Sequence, residues 1–340
     1  MAIDLSNTSE VKVKRSTERI LTTHVGSLVK PDDLQEMITA KDTGQPYDEQ
    51  ALAKRVSSAV ADVVRRQAEV GIDIVNDGEF SKSSWAAYFR GRLTNAEARP
   101  GQRSTPGMIY DREAERFPDW FEWARAGGGP GFSYVYRAQN AAKGRTANPI
   151  QSAYCTGPLK YTGQAELQAD IANLKAAATG VKVEELCMTA LAPPIMSYFL
   201  KNEYYPNDRD FLFAIAEAMN EEYRAIADSG IVLQLDEPQV ATAWHYLTKM
   251  SVAEYRKELE VAVESLNVAL RGIPEDRVRI HVCWGSTHHP HTDDIPLEDI
   301  LDIILKVKAR GTSGKPSSPR TRCASRSQSI TASACSVVAM

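Results

Sequence analysis

The sequence predicts an α/β protein with a parallel sheet, and three observations predict it. Short β-branched and apolar runs alternate with longer stretches of helical apolar spacing, which is the pattern of repeated βα units. Each run ends in polar, Gly or Pro residues. No Gly-x-Gly-x-x-Gly follows the first run, so a dinucleotide-binding sheet would lack its phosphate cradle. Six runs suffice for an open doubly wound sheet or for most of an eight-fold barrel. Polar strand ends belong at the C-terminal face of a barrel, where barrel active sites sit. The expected fold is therefore a (β/α)8 barrel.

In order, residues 1–19 read as a disordered leader, polar and mixed in charge. Ile20–Leu28 (ILTTHVGSL) reads as a strand breaking into a Gly-Ser turn. Asp32–Thr39 and Asp48–Val70 carry helical spacing, the second with a stripe of Leu52, Val56, Val60, Val63 and Val64 and a stop at Gly71. Ile72–Val75 is the second strand, ending in Asn76-Asp77-Gly78-Glu79-Phe80. Residues 95–150 break the rhythm with a Gly-rich run and eight aromatics: Tyr110, Phe117, Trp120, Phe121, Trp123, Phe132, Tyr134 and Tyr136. A long connection with its own aromatics reads as a lid or as a peripheral excursion packed on the barrel wall. Alternation resumes with strands at Ile150–Cys155, Glu185–Ala190, Ile231–Leu235 and Arg277–Trp284. Helices are expected at Glu166–Ala178, Asp208–Ser229 (stopped by Gly230), Val252–Leu270 and Leu297–Lys308.

With 43% hydrophobic residues the chain can bury a large core. A net charge of −4 gives no electrostatic reason to expect nucleic acid or an anionic membrane as partner. No apolar run approaches the length of a membrane span, and the N-terminus lacks the apolar segment of a signal peptide. Five scattered cysteines suit a reducing compartment rather than a disulfide framework. The expected setting is the cytoplasm; the sequence leaves a homo-oligomer open.

The chemistry gathers at the strand ends. In Val278–Gly285 (VRIHVCWG), side chains two apart share a face, so His281 and Cys283 project together while Ile280, Val282 and Trp284 point the other way. Imidazole and thiolate are favoured Zn²⁺ ligands, although a cysteine on a strand is commonly a small hydrophobe. The other ends offer His24, Gly26 and Ser27; Asp77 and Glu79; Cys155 and Thr156; and Asp236 and Glu237. Carboxylates there, at Asp77, Glu79, Asp236 and Glu237, can hold an amino or hydroxyl group or move a proton. The run His288-His289-Pro290-His291 with Asp293 and Asp294 is a second metal candidate, read as a surface loop. His24, His245 and Cys187 read as structural or substrate-lining.

Taken together, TTHVGS (22–27), DIVNDGEF (73–80), LQLDEP (233–238) and HVCWG (281–285) resemble the cobalamin-independent methionine synthase family. The likeness is to the C-terminal catalytic barrel and to single-barrel relatives such as epoxyalkane:coenzyme M transferase, and it spans about residues 20–310. The resemblance implies a barrel, kin also to uroporphyrinogen decarboxylase, that uses Zn²⁺ to move a methyl or alkyl group from a donor to a small thiol. Carried over by position, His281 and Cys283 match the zinc-binding His-x-Cys. Glu79 matches the acid that contacts the thiol substrate's amino group, and Asp236 the substrate-binding acid of the DEP motif. Gly26 and Ser27, with His24 beside them, match the turn lining the substrate site.

The end of the chain departs from that pattern. The family draws its remaining zinc ligands from its last two strands. Here no acidic residue follows Asp302, and Cys323 and Cys335 stand in no strand-end motif. Residues 311–340, with eight Ser, four Lys/Arg and no acid, read as a disordered or frame-altered tail. The expectation is a barrel lacking its last two βα units. Two rivals follow from this: a truncated, catalytically impaired homologue, and a metal-free barrel of the decarboxylase type.

Overall fold

The computed structural model describes residues 14, 16–84, 88–103, 111–123, 151–285 and 290–315. Its centre is a five-stranded parallel sheet in the order β1 (Ile74–Val75), β4 (Glu185–Leu191), β6 (Val232–Asp236), β7 (Val278–Cys283), β8 (Gly311–Lys315). Beside β1, Thr23 adds a single parallel bridge to Ile74. A second, three-stranded sheet pairs β2 (Ala96–Arg103) antiparallel with β3 (Gln151–Cys155), and β3 parallel with β5 (Leu200–Asn202).

The parallel sheet has two unlike faces. Leu186, Met188, Ala190, Leu233, Leu235, Ile280, Val282 and Trp284 join the main hydrophobic core with the helices. The other phase carries Glu185, Cys187 and Thr189; Val232, Gln234 and Asp236; and Arg279, His281 and Cys283. Among the described residues, Leu21, Ile74, Cys187 and Val232 form a small apolar cluster on that side. Period-2 alternation thus sends apolar side chains to the helices and polar ones to the sheet's inner face, as the strand at Val278–Gly285 predicts.

The helices follow their sequence signals. α2 (Glu49–Glu69) buries its whole valine and leucine stripe and is capped by the Asp48 carboxylate, which accepts from Ala51 N at 3.0 Å. Each fully buried Val or Leu contributes about 1.5–3 kcal/mol. Gln67 of α2 binds both the carbonyl (2.7 Å) and the N–H (3.2 Å) of Asn76, fixing the helix to the end of β1. α6 (Asp208–Asp228) is capped by Asn207 and α8 (Val252–Ala269) by a Ser251–Glu254 capping box. Gly71 and Gly230 end α2 and α6 at φ of +84° and +81°.

Four expectations change. Ile20–Leu28 makes only one bridge, because the Asp73 carboxylate holds it: Thr22 N (2.7 Å) and both Arg19 guanidinium nitrogens (2.6 and 2.7 Å) donate to it. Ile150–Cys155 forms its strand in the second sheet, since an apolar run does not specify its partner. Leu297–Lys308 is a 3-10 turn (Leu297–Asp299) and a short helix (Leu301–Ile304). The segment ends on the Asn267 side chain, which binds Lys306 O at 3.0 Å and Lys308 N at 2.8 Å. Finally, residues 311–315, read as tail, extend the parallel sheet beyond β7, and the loss of two βα units finds no support. Residues 1–13, Tyr110, Phe132, Tyr134, Tyr136, His288, His289, Cys323 and Cys335 lie outside the described residues.

Candidate active site at the carboxyl ends of the parallel strands

The turn after β1 aims one carboxylate inward. Gly78 and Glu79 both adopt left-handed backbone, at φ of +64° and +59°. Such a conformation costs a non-glycine residue on the order of 1 kcal/mol or more. Side chains within the turn hold it: Asn76 Oδ1 accepts from Gly78 N at 2.8 Å and Asp77 Oδ1 from Glu79 N at 2.9 Å. The backbone closes it through Leu28 N to Gly78 O at 3.1 Å. A side chain at Gly78 would meet the Phe80 ring at 3.0 Å and Leu28 Cβ at 3.3 Å, so glycine is required twice over.

Glu79 is buried, and both of its oxygens are engaged. Ser27 Oγ donates to Oε2, and Thr189 Oγ1 of β4 donates to Oε1 at 3.0 Å. Ser27 follows Gly26, whose φ of +88° turns the chain there. The His24 carbonyl accepts from Asn76 Nδ2 at 3.0 Å, which joins the two turns. His24 itself is held below the usual imidazole range by burial, against the opposing pull of its backbone contacts and Glu79.

Asp236 ends β6, two strands from β1 across β4, where Gln234 Nε2 donates to its Oδ1 at 2.8 Å. Burial, reinforced by the charge of Glu79, pushes its carboxyl up to about 7; Gln234 and Lys82 pull the other way. Lys82 is buried too, donating to Thr189 O at 2.8 Å with its ammonium 4.3 Å from the Tyr88 ring centre. Glu79, Lys82, Tyr88, Thr189, Leu191 and Asp236 line one narrow crevice. A carboxylate, an ammonium and a carboxyl that titrates near neutrality stand there together. That set brings groups of both charge signs beside a carboxyl able to exchange a proton near neutrality.

His281 of β7 lies in register with Asp236, and its carbonyl accepts from Glu237 N at 2.9 Å. Cys283 follows on the same face, half-buried, while His281 is buried. Their donor chemistry fits two corners of a zinc site, with the thiol on the accessible side. Among the described residues no further His, Cys, Asp or Glu completes a cluster of three around them. Glu237 faces the other way into the short helix Gln239–Thr242, accepting from Gln239 N (2.8 Å) and Ile195 N (3.3 Å). Burial pushes it up to about 8.

Four of the five strand-end groups read from the sequence thus gather at one edge of the sheet. The fifth does not: Cys155 and Thr156 belong to the second sheet, where Cys155 Sγ contacts Gly157 O at 3.3 Å and Thr156 donates to Glu97 at 2.9 Å. Sequence reasoning missed Lys82, Thr189 and Gln234. The last two carried a signal, being polar residues in phase with the site along otherwise apolar strands.

The family model described as the cobalamin-independent synthase catalytic domain matches residues 20–104. A methionine synthase of Sulfolobus acidocaldarius is 26% identical over 288 residues, 84% of this chain and 68% of that protein. One from Sulfurisphaera tokodaii is 24% identical over 290 residues, with the same coverages. Among solved structures, a B12-independent methionine synthase from Shewanella sp. W3-18-1, in complex with selenomethionine, aligns with a TM-score of 0.58 at 18% identity, covering 86% of this chain and 72% of that one. A putative vitamin-B12 independent methionine synthase from Listeria monocytogenes gives 0.54 at 19% identity, covering 87% and 73%. This chain is thus similar in sequence to the cobalamin-independent synthase catalytic domain over residues 20–104, and in fold to solved B12-independent methionine synthases.

Proposed function

We propose that this protein transfers a methyl or alkyl group to the sulfur of a small amino-acid thiol, homocysteine being the first to try. One observation carries the reading. Glu79, Lys82 and Asp236 line one crevice at the carboxyl ends of the parallel strands, and on the strand next to Asp236 stand His281, in register with it, and Cys283 two residues on. The parallel sheet is, on this reading, part of a (β/α)8 barrel, and the protein works in the cytoplasm.

His281 and Cys283 would hold Zn²⁺, which when bound supplies the charge that keeps a substrate thiol deprotonated. The chain's own groups do the rest. Glu79, fixed by Ser27 and Thr189, binds the substrate's ammonium. Lys82 pairs with the substrate carboxylate. Positioning of the sulfur against the donor carbon supplies much of the rate. As the S–C bond forms and the carbon–donor bond breaks, the departing atom takes the proton of Asp236, which is half protonated near pH 7. Hydrogen bonds at the Gly26–Ser27 turn, with His24 behind it, keep the substrate side of the cleft in shape.

Homocysteine incubated with donors whose departing atom needs a proton (a methylated pterin, an epoxide) should give a thioether detectable by mass spectrometry, lost on Cys283→Ala and on Asp236→Asn. Product formation unaffected by either substitution would overturn the proposal.

A further inference from the structure

We propose that His245, His291 and Asp294 form a second metal site, built from different side chains than the His281–Cys283 pair, that takes a divalent first-row transition ion such as Zn²⁺, Co²⁺ or Fe²⁺. His245 ends the 3-10 turn Ala243–His245 in the loop beyond β6, whereas His291 and Asp294 lie in the loop beyond β7. Both rings converge on one oxygen. Asp294 Oδ1 lies 2.8 Å from His245 Nε2 and 3.1 Å from His291 Nδ1. One ligand atom from each of the three residues falls within 4.8 Å of the other two. Ligand atoms bound to one ion at about 2.0–2.2 Å and meeting near right angles stand about 3 Å apart, so the side chains already keep the edges of a coordination shell. Two imidazoles and one carboxylate on one side of an ion make the donor set of mid-to-late first-row divalent metals.

The surroundings hold these ligands in place. The His245 ring is fully buried and the Asp294 side chain is 5% exposed, while His291 at 18% gives an ion a way in. The backbone is pinned on both sides of Asp294. Trp244 Nε1 donates to Asp293 O and Trp284 Nε1 to Ile295 O, each at 2.9 Å. The buried Glu113 accepts from Thr292 N, from Thr292 Oγ1 at 3.0 Å and from Asp293 N at 2.8 Å. Beside it, Arg112 stacks 3.5 Å over the Trp244 ring and donates to the carbonyls of Trp244 and Leu247. Partners outside the ligand set that fix ligand orientation are a mark of metal sites. An ion here ties the loops beyond β6 and β7 together and, through Glu113 and Arg112, fastens residues 111–116 over them. Its role is structural.

The test uses the full chain carrying His281→Ala and Cys283→Ala, so that only the second site remains. After chelator treatment, Co²⁺ is titrated and followed by its d–d absorption and by calorimetry. The expected result is one saturable Co²⁺ per chain, without a thiolate-to-metal charge-transfer band, and a thermal midpoint raised by the metal. Asp294→Asn in the same background should weaken binding at least about tenfold and abolish the midpoint shift. His291→Gln, at the most accessible ligand, serves if the Asp294 variant fails to fold. A hydrogen-bonded triad with no saturable Co²⁺ binding would overturn the proposal, as would binding indifferent to both substitutions. Failure of the His281–Cys283 site is read separately, as a missing charge-transfer band in the wild type.

Discussion

Replacing Asp236 by asparagine is expected to stabilise the protein at alkaline pH while ending its activity. Burial, reinforced by the Glu79 charge, raises the carboxyl from 3.8 to about 7. A carboxyl of this kind holds its proton more tightly folded than unfolded. The stability that proton supplies is therefore complete below about pH 4 and is lost as pH climbs through about 7. Above that, the folded state carries a buried charge. Between pH 5 and pH 8 the wild type crosses about two pKa units at 1.36 kcal/mol each. The asparagine variant, which still accepts from Gln234, should gain roughly 3 kcal/mol on the wild type over that interval. Urea unfolding of both proteins at pH 5 and pH 8 measures this directly. A stability difference that does not change with pH would refute the reasoning, because it would mean that Asp236 titrates as an ordinary exposed acid.

Other consequences follow from the same geometry. Transfer activity should fall as pH rises above about 7 and Asp236 loses the proton it donates, a limb that a pH–rate profile of the wild type reads. Gly78→Ala forces a side chain into left-handed backbone and against Phe80 and Leu28; it should destabilise by about 1–3 kcal/mol in urea unfolding. Glu79→Gln places an amide N–H against a hydroxyl donor, Ser27 or Thr189. Turnover should drop by about 100-fold or more with the fold retained by circular dichroism. Arg112→Ala removes the stacking on Trp244 and three carbonyl contacts, to Trp244, Leu247 and Met250, and should speed proteolysis within residues 111–123 relative to the wild type.

Much of the arrangement was legible in the sequence because two periodicities encode it. The 3.6-residue stripe of Leu52, Val56, Val60, Val63 and Val64 named α2 and its buried face. The two-residue alternation at 278–284 separated His281 and Cys283 from Ile280, Val282 and Trp284. Strand partners were less legible. Nothing in QSAYC says that it pairs with Ala96–Ala98 rather than entering the parallel sheet, since backbone hydrogen bonds are blind to side-chain identity. GTSGK at 311–315 lacks β-branched content beyond Thr312, so its place beside β7 came from neighbouring backbone and not from propensity. In the site, Lys82 was hidden because its function depends on reaching Thr189 across 107 positions. His245, read as structural or substrate-lining, meets Asp294 only because two loops fold together.

The claim that a substrate thiol enters a metal site at His281 and Cys283 is tested most directly by absorption of the Co²⁺-loaded protein. The wild type should show a thiolate-to-metal charge-transfer band that grows when homocysteine is added, and Cys283→Ala should lose the protein's share of it. A spectrum that neither depends on Cys283 nor responds to homocysteine would contradict the account.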